Sequence, residues 1–159
     1  MMSPTYLNLN EGDLEWINDQ LNAATQFVAR HSPPDAGDPL TLSSLDRAFT
    51  AWGRLGVTDP QVINDVITKV GIAFGSFLVR DAGFSWVVIS DVSNHEFAVS
   101  ATNTMLSPID FVAKRFQRHQ TNFLENYFLN LVAQNKAVKS KVDRETQPKN
   151  PFWKRVNIK

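Results

Sequence analysis

The segment from Thr58 to Ala101 constrains this chain most, because a long apolar helical pattern runs straight into an aromatic, β-branched stretch and then into a second one. Thr58-Asp59-Pro60-Gln61 carries helix-start chemistry. Thr58 offers a cap, Pro60 suits a first turn in which its missing N–H is not needed, and Gln61 can reach back as in a capping box. Val62, Ile63, Val66, Ile67, Val70, Ala73, Phe74, Phe77 and Leu78 then recur at helical spacing. β-Branched residues are poor helix formers, so packing must hold this helix. Gly71 and Gly75 lie one turn apart on one face, and each weakens the helix by about 1 kcal/mol relative to Ala. The face they open is therefore expected to receive another backbone or a large ring.

Asp81-Ala82-Gly83 ends the helix, and Phe84 to Asp91 follows as a Trp-bearing strand. Its apolar centre occupies both pleat faces, which predicts cover on both. Val92-Ser93-Asn94 reads as a turn, and His95 to Ala101 alternates with Phe97, Val99 and Ala101 inward, giving an antiparallel hairpin. Thr104-Met105-Leu106 is a short third-strand candidate.

Around this centre the pattern is helical. Asn10-Glu11-Gly12-Asp13 offers a cap and early acidic charge, after which Leu14, Ile17, Leu21, Ala24, Phe27 and Val28 mark an amphipathic helix to about Arg30, with Trp16 at the edge of its stripe. Pro33, Pro34, Gly37 and Pro39 force a loop. Ser43-x-x-Asp46 opens a short helix with Leu45, Ala48, Phe49 and Trp52 on one face, ending at Gly53 or Gly56. Ser107-Pro108-Ile109-Asp110 repeats the start logic, Ser107 as cap and Pro108 at the first position. Phe123 to Val132 forms a last apolar helix, and whether 108–134 is one helix or two stays open. Together these elements predict an α+β domain over residues 1–135, a small antiparallel sheet of two to three strands packed with about four to five helices, followed by a basic C-terminal tail over 136–159 that is extended or docking.

The 159 residues suit one domain with a core that needs no staples, and there is no cysteine, which excludes thiol nucleophiles, disulfides and cysteine-held zinc. The absence of a signal-type leader or a long uninterrupted apolar run sets the expectation of a cytoplasmic, soluble protein without membrane contact. The zero net charge hides a division: residues 1–135 hold 14 acidic and 8 basic side chains, and 136–159 hold 2 and 8. An acidic body argues against general nucleic-acid binding, while the tail is basic enough to meet phosphates or the body itself. Pro151-Phe152-Trp153 places two aromatics in that tail as a docking motif would.

Catalytic constellations are not legible. His31, His95 and His119 have no metal-ligand spacing, Gly71-x-x-x-Gly75 lies inside a helix where no phosphate loop can form, and Asp81 and Asp91 sit at opposite ends of a strand, too far apart to cooperate. No metal or cofactor is expected. Lys114, Arg115 and Arg118, and Lys154 and Arg155 in the tail, are the candidate anion-binding residues.

The run Val70 to Leu78, then Gly83-Phe84-Ser85-Trp86-Val87, then Ser107-Pro108 with Lys114-Arg115, resembles an uncharacterised bacterial domain-of-unknown-function family, over roughly Glu11 to Val132. The resemblance implies a small bacterial α+β domain and assigns no catalytic residue. Small domains of this type often accompany secreted toxins as immunity partners.

The reading is thus a non-enzymatic protein-interaction module, in its sharpest form a cytosolic immunity protein whose acidic surface binds and neutralises a basic bacterial toxin. Asp13, Glu15, Asp19, Asp35 and Asp38 are its expected contact charges and Trp16 its aromatic anchor. One alternative is a binder of nucleic acid or another anionic surface through the tail. The other is an enzyme whose site the fold assembles from separated residues such as Asp91, His95 and Arg115. The oligomeric state is not legible.

Overall fold

Helix α1 (Glu11–His31) packs against helix α3 (Pro60–Asp81), which in turn meets the sheet, and the computed structural model describes residues 5–32 and 40–146, side chains of 137–146 excepted. Between them lies α2 (Leu42–Gly53). After α3 come β2 (Ser85–Ser90), β3 (His95–Ala101) and β4 (Thr104–Leu106), then α4 (Pro108–Gln117) and α5 (Leu124–Thr146); a short strand, β1 (Thr5–Leu7), precedes α1. The fold is α+β. Among the described residues there are five helices and one antiparallel sheet of four strands in the order β1-β2-β3-β4. The expected helix count holds, and the sheet has one strand more than the two to three expected: β1 is three exposed residues with no pattern of its own, visible only through its pairing of Tyr6 with Ile89.

The glycine pair of α3 does what its spacing predicts. A β-carbon on Gly71 would stand 2.7 Å from Cα of Ile109, and one on Gly75 would stand 2.5 Å from Cη2 of Trp86 and 3.0 Å from Cγ of Pro108. One glycine thus admits the backbone that starts α4, and the other admits the indole of β2. Val70, Ile72, Ala73, Phe74 and Leu78 are fully buried around them, so the membrane-span length and apolarity of α3 are accounted for by the core.

In the ladder Trp86 opposes Val99, and Val88 opposes both Phe97 and Leu7, so these side chains share the helix-facing side of the sheet. On the opposite side Ala98, across from Val87, is fully buried and Val87 and Ile89 are half-buried, while Tyr6 and Met105 are exposed, so the expected cover on both faces is only partial on this one.

A chain of aromatic contacts ties the helices together. Phe27 of α1 meets Trp52 of α2 at 6.4 Å, Trp52 meets Phe116 of α4 at 5.6 Å, and Phe49 meets Phe116 and Phe123 edge-on at 6.1 and 6.2 Å. Phe111 then joins Phe123, Tyr127 and Phe74 at 5.7, 4.3 and 5.4 Å. Edge-to-face and offset contacts of this kind add about 0.5–1.5 kcal/mol each beyond area burial.

Three helix starts differ from expectation. Asp59, not Thr58, caps α3 by accepting from Gln61 N–H at 2.9 Å. Thr41, not Ser43, caps α2 in a reciprocal box with Ser44. Ser107 sits at the cap position of α4 but gives its hydroxyl to the Glu96 carboxylate of β3, leaving Pro108 and Asp110 to start the helix. Residues 108–134 form two helices, and α5 runs on to Thr146, so 136–146 is helical where an extended segment was expected. The remaining tail, with Phe152, Trp153, Lys154 and Arg155, lies outside the described residues.

Candidate functional site

The expected contact charges divide by what the fold does with them. Asp13 is committed to the start of α1: Asn10 N–H donates to its Oδ2 at 2.9 Å while its own N–H donates to Asn10 Oδ1 at 2.8 Å. Glu15 and Asp19 are exposed, one turn apart on one face, and neither has an ion-pair partner among the described residues. Like charges in that arrangement weaken a helix by about 0.2–0.5 kcal/mol. Asp35 and Asp38 lie outside the described residues.

Trp16 lies between these acids in the sequence and reaches the sheet. Its ring stacks on Phe97 of β3 at 4.9 Å with planes 11° apart, and both are half-buried. Phe97 is in cross-strand line with Val88 and Leu7, and Leu7 is 44% exposed. Leu14, expected in the core stripe of α1, is 50% exposed because it lies a turn before the first well-covered position, Ile17. The result is a half-buried aromatic pair at the border of α1 and the sheet, with exposed Leu14, Glu15 and Asp19 on the same helix and exposed Leu7 on β1.

The anion-binding candidates of α4 are engaged in three different ways. Lys114 pairs with Asp110 at 2.9 Å one turn earlier. Arg115 lies over the rings of Phe111 and Tyr127 at 4.9 and 5.5 Å and donates to Gln120 Oε1 at 3.0 Å. Arg118 is exposed at the end of the helix. Nor does the fold assemble the enzyme candidates in one cavity: Asp91 accepts from Ser93 N–H inside the β2–β3 turn, His95 faces Ser90 at the same turn, and Arg115 borders a hollow lined by the α4–α5 connection. Asp81, at the other end of β2, is held below the usual carboxylate range by hydrogen bonds from Arg80. Among the described residues no three His, Asp or Glu side chains gather as a metal site would require.

One polar centre escaped the sequence. Helix α5 begins after Phe123, which has no side-chain acceptor, so its first amides need a cap from elsewhere. Asp46 of α2 supplies it: Leu124 N–H donates to Oδ1 at 3.0 Å and Glu125 N–H to Oδ2 at 2.9 Å. Burial pushes the Asp46 carboxyl above its ordinary range, with the two amides acting in the opposite direction and the Glu125 carboxylate adding to the rise. Beside Asp46 opens a hollow of about 140 Å³ whose lining includes Phe49, Thr50, Phe116, Asn122 and Phe123. Its wall is the α4–α5 connection, in which His119 and Asn122 both hold positive φ, 56° and 55°. Side chains with a β-carbon are uncommon there, Asn and His being among the more tolerant. The polar run His119-Gln120-Thr121-Asn122 between two helices was the signal that could have pointed to it.

With this geometry in place, comparison with known proteins is informative about kinship and silent on activity. Residues 53–127 match the model of a domain of unknown function, DUF3806, in agreement with the resemblance drawn from α3, the Trp strand and the start of α4. The matched range takes in the α4–α5 connection and leaves out α1 and Asp46. No curated protein matches the chain. A crystal structure from Bacteroides thetaiotaomicron VPI-5482 is similar in fold, with a TM-score of 0.63 at 13% identity, over 79% of this chain and 46% of that one. This chain therefore spans less than half the length of that protein, and the likeness speaks for the fold alone.

Proposed function

We propose that this chain is a non-enzymatic protein-interaction module that presents the Trp16 face of α1 to a basic partner, in its sharpest form a cytosolic immunity protein that binds and neutralises a bacterial toxin. What supports the reading above all is the stacked Trp16–Phe97 pair set beside Glu15 and Asp19, two carboxylates with no ion pair among the described residues. Interfaces are commonly organised in this way, with a central aromatic anchor, apolar neighbours and a charged rim that speeds and orients encounter. Exposed Leu14 and Leu7 add apolar area near that anchor.

The test is to identify the protein retained by the tagged chain from its native cytosol, purify it, and titrate it with wild type, Trp16→Ala and the double variant Glu15→Lys/Asp19→Lys. The reading expects the aromatic variant to raise Kd by more than about tenfold and the charge variant mainly to slow association. Unchanged affinity in both would reject it. Retention of salt-labile nucleic acid, lost when residues 136–159 are removed, would place the function in the basic tail instead.

A further inference from the structure

Asp46 is the one charged side chain in the buried set among the described residues, 7% exposed, and it is in no ion pair there. Buried carboxylates are ordinarily matched by a cation. The two amides of α5 use one acceptor site on each oxygen, and a carboxylate has more to offer. The carboxylate borders the hollow of about 140 Å³, whose apolar wall is three phenylalanine rings, Phe49, Phe116 and Phe123, with Phe49 edge-on to the other two at 82° and 80°. Aromatic rings and a desolvated carboxylate are the two groups that stabilise a bound ammonium ion. Thr50 and Asn122 supply oxygen acceptors at the same place, linked by a long hydrogen bond of 3.4 Å from the Thr50 hydroxyl. Arg54 and His119 also border the hollow; both are exposed, so water screens them, and their presence disfavours a ligand of high positive charge over one with a single ammonium.

We propose that the hollow beside Asp46 binds a primary ammonium group, carried either by a small free amine or by a lysine side chain of another protein. The site is separate from the Trp16 face, so either proposal can fail without the other. Gly53 gives the means of a test: it lines the hollow at the end of α2, and a β-carbon there would meet nothing within 4 Å, so Gly53→Leu adds apolar bulk to the lining from a β-carbon that stands in open space.

The experiment follows backbone amide resonances of the full chain while n-butylammonium, the neutral n-butanol and N-acetyl-lysine methylamide are added in turn. The proposal expects n-butylammonium to shift the amides of Leu124 and Glu125, n-butanol to bind at least about tenfold more weakly, and Gly53→Leu to lose the response while keeping its melting temperature. Asp46→Asn, if it folds, should lose the preference for the charged ligand. Tighter binding of the lysine derivative than of the amine assigns the site to a protein lysine, and the reverse order to a free amine. Equal affinity for amine and alcohol, no shift at these amides with any probe, or an undiminished response in Gly53→Leu overturns the proposal.

Discussion

Trp86 lays the tip of its indole against Gly75, so close that the smallest side chain other than hydrogen has no place there. Gly75→Ala gains helix propensity, worth about 1 kcal/mol, and meets an overpacking penalty of about 1–3 kcal/mol. Gly71→Ala meets backbone of Ile109 rather than a ring that can tilt, so it is expected to be the more damaging of the two. Urea unfolding of both variants checks the order; equal stability to wild type in Gly71→Ala would contradict the close approach.

Asp46→Ala leaves the first amides of α5 without their acceptor, and the expected loss is about 1–2 kcal/mol, as for removal of a cap. The carboxyl also gives a pH signature. Its folded value is raised, so between the ordinary aspartate range and that raised value the native state keeps a proton the unfolded chain has lost. Its contribution to stability therefore falls as pH rises through that window. Asp46→Asn should remove this slope, which denaturation midpoints across the acidic range would reveal.

His31 has the opposite sign. Burial, then the charges of Arg30 and Lys69, lower its folded value, so the unfolded chain takes up the proton first as pH falls. Its contribution is present above the ordinary histidine range and lost below it. His31→Gln should flatten the wild-type decline in melting temperature between about pH 7 and pH 5.

Glu15→Lys/Asp19→Lys changes exposed side chains that repel each other, so stability should stay within about 0.5 kcal/mol of wild type. Trp16→Ala should cost more, because it removes the stack on Phe97, worth about 0.5–1.5 kcal/mol beyond buried area. Thermal melts of both variants, run before any binding assay, separate a folding defect from a lost contact.

How far the sequence was readable depends on how local the physics is. The Gly71–Gly75 pair was legible because a helix with two missing side chains on one face calls for a close neighbour, and the neighbours came from the segments that follow directly. The hairpin was legible from alternation and turn residues. The role of Asp46 was not: its spacing from Ser43 mimics a cap for its own helix, whereas its true partners lie in α5, 78 and 79 positions away. Strand β1 was hidden because three exposed residues hold no periodicity. The acidic pair of α1 could be read, but not that Asp13 is occupied by the helix start while Glu15 and Asp19 are left outward.

Besides its apolar contacts, helix α5 is held by side-chain hydrogen bonds at two places among the described residues, to Asp46 at its start and, through Asn135, to the Ala82 carbonyl that follows α3. Both join α5 to residues far away in sequence, Asp46 of α2 and Ala82 after α3, so each closes a long loop and carries its entropic cost. The amides of Leu124 and Glu125 are bonded to another helix and not to their own, so their protection from hydrogen exchange measures how firmly α5 stays docked on α2, not how well α5 is wound.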